Sequence, residues 1–126
     1  KYEIISFRAN HILMKGFKII NSGEDEIANI GAVRLYDSQF STIENNIFEN
    51  NYFGIYVQRG FRCLIQNNRI ISHRASSQEG SGDGIHAWVS EELWIKNNYI
   101  EGHKDGIYLE KVIKSYIYHN YSVKNL

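Results

Sequence analysis

An internal repeat of about 22 residues runs through this chain and leaves few folds open to it. Four segments align with one another: AVRLYDSQFSTIENNIF, GIYVQRGFRCLIQNNRI, GIHAWVSEELWIKNNYI and GIYLEKVIKSYIYHNYS. Their first shared aliphatic positions are Val33, Ile55, Ile85 and Ile107, and a second column follows at Ile43, Ile65, Ile95 and Ile117. A fixed period of this length indicates a solenoid, in which each repeat buries its apolar face only by stacking on its neighbours.

Within each copy of the repeat, apolar and polar side chains alternate, as they do in a half-buried strand. Ile85 and Ala87 would face one side of such a strand, and His86 and Trp88 the other. Three short strands per copy, joined by turns, predict an all-β fold. The predicted architecture is a right-handed parallel β-helix of about five coils, with about 22 residues per coil. The absence of proline fits strands that are paired along both edges.

We expect residues 1–126 to form one β-helix segment with longer turns near 21–30 and 72–82. The second long turn shows in the spacing, since the aligned aliphatics on either side of it are 30 residues apart rather than 22. The first follows a fifth, more divergent copy in which Leu13 stands in the place of Ile43. Because the sequence stops inside a repeat, we also expect it to be a fragment of a longer helix.

Each of the four clear copies carries an asparagine at the same turn. The column consists of Asn46, Asn68, Asn98 and Asn120. Asparagine tolerates left-handed backbone, and its amide can bond to the coil stacked about 4.8 Å away, so we predict a structural role. His119, which replaces the asparagine beside this column in the last copy, is interpreted as an exposed turn variant. Cys63 falls in an inward column and is predicted to be a small core residue.

The outward positions of the first strand in each copy should form one patch along the stack. They are Arg34 and Tyr36, Tyr56 and Gln58, His86 and Trp88, and Tyr108 and Glu110. Aromatic faces beside carboxylates and hydrogen-bond donors suit sugar rings or a protein surface. The predicted binding surface is Arg34, Tyr56, His86, Trp88, Tyr108 and Glu110. The alternative is an ordinary strand face with favourable cross-strand aromatic pairs.

Two carboxylates could support catalysis on the same face. Asp83 and Asp105 each lie two residues before the aligned aliphatic, on adjacent coils about 5 Å apart at the backbone. With His86 and Tyr108 they would form the acid–base set of a polysaccharide lyase, epimerase or hydrolase. The alternative is that Asp-Gly simply makes the turn before each strand. The sequence alone therefore assigns no catalytic residue, and a non-enzymatic role is the preferred interpretation.

Charge, hydropathy and ligand spacing argue against several classes of function. The formal net charge is zero, which gives no indication of a nucleic-acid partner or an anionic membrane surface. No apolar run reaches the roughly 18–20 residues of a membrane span, and the sequence does not start with a signal peptide. The single cysteine excludes a multi-cysteine metal site. His86 and His103 are the metal candidates, and otherwise each is a surface histidine; no cofactor follows from the sequence itself.

One stretch of the chain resembles a known family. Residues 82–110, GDGIHAWVSEELWIKNNYIEGHKDGIYLE, are similar to the NosD family of periplasmic proteins that mature nitrous-oxide reductase, which are right-handed β-helices with CASH-type repeats. The family's G-N/D-G-I-H/Y-L/A-W segment is matched by 82–85 and Trp88. Its G-H-R-D-G-I-Y-F/L-E segment is matched by 102–110, with Lys104 in the place of the usual arginine.

The resemblance implies a periplasmic accessory protein that works with an ABC transporter and a copper chaperone to help copper reach nitrous-oxide reductase. The family's metal ligands have no matched positions in this sequence, so any copper would be shared with a partner that supplies ligands. Two alternatives stay open: a carbohydrate-binding or polysaccharide-modifying β-helix, and a purely structural solenoid segment. The fold does not separate these alternatives, because function resides in the site.

Overall fold

The computed structural model describes residues 3–23, 30–73 and 82–126, which form strands β1 to β15 and no helix. Each coil contributes one strand to each of three parallel, five-stranded sheets. The first sheet contains β1 (Ile5–Phe7), β4 (Gly31–Tyr36), β7 (Phe53–Gln58), β10 (Ile85–Glu91) and β13 (Ile107–Ile113). The second contains β2 (Leu13–Lys15), β5 (Thr42–Glu44), β8 (Leu64–Gln66), β11 (Trp94–Lys96) and β14 (Tyr116–Tyr118). The third contains β3 (Lys18–Ile20), β6 (Ile47–Glu49), β9 (Arg69–Ile71), β12 (Tyr99–Glu101) and β15 (Tyr121–Val123).

Neighbouring strands within each sheet belong to successive coils, so the predicted right-handed parallel β-helix of about five coils is confirmed. Aligned residues of adjacent coils that are joined by hydrogen bonds are 22 positions apart in the sequence in regular coils. They are 29 or 30 positions apart where the turn is longer. The longer turns expected near 21–30 and 72–82 fall largely on residues 24–29 and 74–81, which lie outside the described residues.

The aligned aliphatic columns form the core, except in the last coil, where Ile117 is 40% exposed. On the second sheet Ile65 pairs with Ile43 in the preceding coil and with Ile95 in the following one, and all three are fully buried. The first sheet repeats this arrangement, with Ile55 between two aligned aliphatics. Because each aliphatic lies directly against its equivalent in the next coil, the core is a set of continuous ladders along the helix axis.

Cys63 lies in the core, as predicted, with no exposed surface. Its thiol donates a hydrogen bond to the carbonyl oxygen of Ser38, with Sγ and O 3.2 Å apart. Burial raises the pKa of this thiol above its ordinary value, which keeps it in the neutral form. Cys63 therefore acts as a small buried side chain with a weak hydrogen-bond donor.

The alignment of the first coil was wrong by one residue. Leu13 pairs with Thr42 and is 58% exposed, whereas Met14 pairs with Ile43 and is 2% exposed. The reason is a shorter path between the first two sheets: Met14 follows Ile5 by nine positions, whereas in the next coil Ile43 follows Val33 by ten. A shift of one residue along a strand exchanges its two faces, so the inward aliphatic is Met14.

The asparagine column forms a buried hydrogen-bonded ladder, as predicted. Asn68 Oδ1 accepts hydrogen bonds from the backbone N–H and the side-chain amide of Asn46, both at 3.1 Å. Asn68 Nδ2 donates to the carbonyl oxygen of Ile43 at 3.0 Å, and Asn98 repeats the same contacts one coil further on. These bonds satisfy amide groups that the bend of the chain would otherwise leave buried without partners.

The left-handed backbone that was assigned to this column belongs instead to the residue before it. The positions with positive φ are Asn45, Asn67, Asn97 and His119, with φ between 54° and 56°. Their left-handed conformation makes the corner, and the following asparagine is then directed inward. His119 is exposed, in agreement with its interpretation as a turn variant.

The first turn also contains a left-handed residue in the second to fifth coils. Its left-handed positions in successive coils are Asp37, Arg59, Val89 and Lys111, with φ between 48° and 54°. Valine is the exception among them, because a β-branched side chain crowds the backbone in this conformation. The corners of the helix are thus set by columns of left-handed residues as regular as the columns of the core.

Candidate functional site

The outward face of the first sheet contains a cleft of about 500 Å³, which we call the first-sheet cleft. Its lining contains all six residues of the predicted binding surface, together with both predicted carboxylates. The lining residues are Arg34, Tyr52, Phe53, Tyr56, Gln58, Gly82, Asp83, His86, Trp88, Lys104, Asp105, Tyr108 and Glu110. The structure therefore brings the sequence-derived candidates together in one concave surface; Tyr36 lies on the same strand face but outside this lining.

A ladder of flat side chains forms the centre of the cleft. Tyr56, His86 and Tyr108 are direct cross-strand neighbours. The rings of Tyr56 and His86 stack with centroids 4.5 Å apart and an interplanar angle of 10°, and those of His86 and Tyr108 with centroids 4.8 Å apart at 30°. The parallel register places the rings one coil apart, which is close to the stacking distance of aromatic faces. Stacking limits the exposure of Tyr56 to 4% and leaves Tyr108 at 40%.

The guanidinium of Arg34 continues the ladder at its other end. Its central carbon lies 4.2 Å from the centroid of Tyr56, a cation–π contact. The guanidinium is fixed by the Glu3 carboxylate, 3.1 Å from Nη1, and by the Gln58 side-chain oxygen, 2.5 Å from Nη2. Burial raises the pKa of Tyr56 above its ordinary value, and the Arg34 charge opposes this change. The Arg34 side chain is consequently held in place at this end of the cleft, and the Glu3 carboxylate neutralises its charge.

Asp83 and His86 form a buried pair at the middle of the cleft. The carboxylate oxygen Oδ2 lies 2.7 Å from Nδ1 of the imidazole, and the side chains are 8% and 11% exposed. His86 is held by the β10 strand, whereas Asp83 lies just before it, three residues earlier in the chain. In the neutral imidazole whose Nδ1–H donates to this carboxylate, Nε2 carries the lone pair, and Nε2 makes no hydrogen bond to a described residue. The arrangement presents one oriented imidazole nitrogen that can accept a proton, accept a hydrogen bond or bind a metal ion.

The two predicted carboxylates are adjacent but differ in environment. The backbone carbonyl of Asp105 accepts a hydrogen bond from the N–H of Gly84 at 2.9 Å, so the residues lie on neighbouring coils as expected. Asp83 is 6% exposed and bonded to His86, whereas Asp105 is exposed and has no ion pair with a described residue. An enzyme that uses two carboxylates would therefore use them in different roles.

The glycine after Asp83 is required for space. A Cβ atom on Gly84 would lie 2.4 Å from Ile100 Cγ2 and 2.7 Å from the carbonyl oxygen of Gly106. Neither Asp83 nor Gly84 has a positive φ, so the Asp-Gly sequence does not make a left-handed turn here. The backbone of adjacent coils approaches closely at this corner, and the glycine permits that approach.

The sequence reasoning missed the aromatic wall of the cleft. Phe53 packs edge-on against Tyr56 at 5.9 Å and against His86 at 5.5 Å, and Tyr52 packs edge-on against Phe53 at 5.0 Å. The repeat contained the signal, because Phe53 stands one coil before Asp83 in the same aligned position. Extending the alignment two residues before the first aliphatic column would have placed it at this edge.

His103 is buried, which contradicts its interpretation as a surface histidine. It is 1% exposed, and its Nδ1 lies 3.2 Å from the carbonyl oxygen of Gly82. Its backbone N–H donates to Asn125 Oδ1 at 2.9 Å, an interaction of the kind that asparagines make at this corner. Burial lowers the pKa of His103 to about 4, against the opposing effect of the Gly82 carbonyl. His103 is therefore a neutral structural residue that does not line the cleft.

Comparison with known proteins identifies the family. The family model described as "Right handed beta helix region" matches residues 1–80 and 31–125. The chain belongs to the right-handed β-helix family.

A curated relative of this β-helix protein is the "Probable ABC transporter binding protein NosD" of Stutzerimonas stutzeri, which is 34% identical over 92 residues. The match covers 66% of this chain and 20% of the relative, so the chain spans about a fifth of the length of the curated relative it matches. No solved structure matches the chain significantly. Within the described residues of this β-helix protein, no helix is long and apolar enough to cross a membrane.

Copper, which the resemblance of residues 82–110 implies, is the metal to compare with the side chains of this β-helix protein. Among the residues that the structure describes, no group of three or more His, Cys, Asp or Glu side chains could hold a metal ion. The soft sulfur donors, Cys63 and Met14, lie in the core. The first-sheet cleft offers the single open nitrogen of His86, which is one ligand and not a complete coordination sphere.

Proposed function

We propose that this chain is part of a NosD-like periplasmic accessory protein, which assists copper delivery to nitrous-oxide reductase through contacts with an ABC transporter and a copper chaperone. The observation that carries the proposal is the 34% identity to a probable ABC transporter binding protein over 92 residues. We place the docking surface in the first-sheet cleft. The sequence segments that resemble the family, 82–88 and 102–110, supply much of its lining.

The cleft has the composition of a protein-binding surface. Tyrosine, tryptophan and arginine are the residues that most often dominate interface energetics, and all three occur in its lining. The stacked rings and the bonded guanidinium are held in place before a partner arrives, so little side-chain entropy is lost on binding. Trp88 and Tyr108 remain accessible for direct contact.

Copper enters this proposal as cargo. His86 could donate one nitrogen to a copper ion whose other ligands belong to the partner, with Asp83 orienting the imidazole through the second ring nitrogen. The isolated chain should then bind copper weakly. Tight, stoichiometric binding of Cu(I) by the isolated chain, measured by competition with a chromophoric chelator, would contradict the shared-ligand arrangement.

The docking surface can be tested with two matched tyrosine variants. Tyr108 and Tyr121 both lie in the last coil, face outward and stack on the preceding coil, with centroid distances of 4.8 and 5.4 Å. Tyr108 belongs to the first-sheet cleft, whereas Tyr121 lies on the third sheet. Binding to a purified NosD-type ABC transporter should weaken about tenfold in Tyr108→Ala and stay unchanged in Tyr121→Ala.

Equal effects of the two substitutions on binding would show that the docking surface does not lie in the first-sheet cleft. Failure of the unmodified chain to bind the transporter or its copper chaperone would contradict the accessory function itself. Melting temperatures of both variants establish whether the fold is retained.

The Asp83–His86 pair favours a second candidate function, a polysaccharide-cleaving enzyme of the lyase or hydrolase type. An imidazole oriented by a buried carboxylate 2.7 Å away is suited to general acid–base catalysis, and the aromatic ladder could support sugar rings. Such an enzyme should release new reducing ends from a suitable polysaccharide, and Asp83→Asn or His86→Gln should abolish the release. Asp37→Asn, at an exposed corner outside the cleft, is the control. A polysaccharide panel that yields no new ends would exclude this candidate.

A further inference from the structure

The second sheet carries another concave surface, separate from the first-sheet cleft. It encloses about 790 Å³ on the outward face of β8, β11 and β14. Its floor is the outward column Leu64, Trp94 and Tyr116, which are cross-strand neighbours in three successive coils. We call it the second-sheet groove.

The floor is aromatic and accessible. Trp94 is 43% exposed and Tyr116 is 58% exposed, and their rings lie 5.1 Å apart with an interplanar angle of 46°. Neither side chain contributes to the core cluster. Large exposed aromatic side chains grouped in one depression usually mark a binding site, since single exposed apolar residues are common but clusters are not.

Charged side chains border the floor on both sides. On one side lie Arg62, Glu92 and Lys114, which occupy the same left-handed corner position in three successive coils, with φ of 51°, 53° and 50°. On the other side lies Lys96, whose Nζ is 5.7 Å from the Trp94 ring centroid. Because the repeat places equivalent residues in successive coils, the charged borders run parallel to the floor. The ring ladder of the first-sheet cleft has the same origin.

The balance of these charges is positive. The lining contains three cations and one carboxylate, that of Glu92, which lies 2.6 Å from Nε of Arg62. Lys114 pairs with Glu91 outside the lining at 3.3 Å, and Lys96 has no ion pair with a described residue. The groove thus combines an apolar floor, hydrogen-bond donors on both sides and one cation available for a ligand.

We infer that the second-sheet groove binds an acidic oligosaccharide, with uronic-acid units as the recognised chemistry. A pyranose ring presents C–H faces that can lie on Trp94 and Tyr116, while its equatorial hydroxyl groups reach the charged borders. A uronate carboxylate would pair with Lys96, the cation that is free of other described carboxylates. The proposal is independent of the function of the first-sheet cleft, because the two surfaces share no lining residue.

The two tryptophans of the chain allow each surface to be observed separately, because Trp88 lines the first-sheet cleft and Trp94 the second-sheet groove. In Trp88→Phe the fluorescence reports on Trp94 alone, and in Trp94→Phe on Trp88 alone. Titration of Trp88→Phe with a galacturonate hexamer at low ionic strength should give a saturable change with a Kd of about 1 mM or tighter. The same titration of Trp94→Phe should give none.

Substitutions measured by calorimetry then test the recognition itself. Lys96→Gln should weaken galacturonate binding about two- to fivefold, as expected for a solvent-accessible charge pair. Trp94→Ala should weaken it at least about tenfold. Lys124→Gln removes one positive charge from the last coil on the third-sheet side and should leave the affinity unchanged.

Three results would overturn the inference. The first is no saturable binding of the galacturonate hexamer. The second is equal binding of a neutral glucan hexamer, which would remove the role of the carboxylates. The third is equal binding of a hexaglutamate peptide, which would reduce the recognition to charge alone. Retained melting temperatures in Trp94→Ala and Lys96→Gln show that a loss of binding is not a loss of fold.

Discussion

Replacing His103 with asparagine should remove a large part of the pH dependence of folding. In the native chain burial lowers the pKa of this imidazole from 6.5 to about 4. As the pH falls below 6.5 the unfolded chain takes up a proton that the folded chain does not, so stability is lost progressively until the pH reaches about 4. At roughly 1.4 kcal/mol per pKa unit, the total loss is about 3 kcal/mol.

The assay is urea unfolding, followed by tryptophan fluorescence, at about pH 7.5 and about pH 4. Asparagine is the suitable replacement, because Asn51 and Asn125 make the equivalent corner bonds in other coils. The wild type should lose about 3 kcal/mol more than His103→Asn between the two pH values. Carboxylates such as Asp37, whose pKa is lowered by Arg59, are present in both proteins and cancel in the comparison.

His119→Asn makes the same chemical change at an exposed position of the last coil and serves as the control. Its pH dependence should match that of the wild type. If His103→Asn loses as much stability on acidification as the wild type does, the buried imidazole is not the origin of the acid sensitivity, and the reasoning from burial is refuted.

Three further predictions concern the ladders and corners, and each is measured by urea unfolding. Ile95→Ala should lower the free energy of unfolding by about 2–5 kcal/mol, because Ile95 is fully buried. Trp88→Ala should lower it far less, because Trp88 is partly exposed. Equal losses would mean that the inward and outward faces are misassigned. Asn68→Ala should cost about 3 kcal/mol, since it leaves two buried amide donors of Asn46 without an acceptor, and a loss under about 1 kcal/mol would show that water replaces the side chain. Val89→Asn should stabilise the chain by about 1 kcal/mol by relieving a β-branched residue at φ 48°, and a destabilisation would indicate that the valine packs usefully.

The sequence predicted the fold well because one periodicity determines most of it. Once Ile43, Ile65 and Ile95 are aligned, the parallel register and the inward and outward faces follow from alternation. The register failed only in the first coil, where one residue is missing from the first turn and Leu13 was chosen over Met14. A repeat aligned by residue type alone cannot detect a turn that is shorter by one residue.

The site was predicted as a set of positions but not as a set of bonds. Outward alternation was sufficient to place His86 and Tyr108 beside each other and Asp83 at their edge. The 2.7 Å contact between Asp83 and His86 depends on the path of the chain at the corner, which periodicity does not describe. His103 was misjudged for the same reason, since corner residues can point inward or outward regardless of the strand alternation.

The three corners of each coil differ in how much extra chain they accept. The asparagine contacts are kept across a regular step of 22 residues and across long steps of 29 and 30 residues, and the long steps add their residues between the third and first sheets. A foreign loop could be grafted between Ile71 and Ile85 without disturbing a ladder, whereas the path between the first and second sheets varies by only one residue among the coils. Removing residues 33–54 would shorten the protein by one coil and restore every column, which makes the coil, and not the residue, the unit in which this protein can change length.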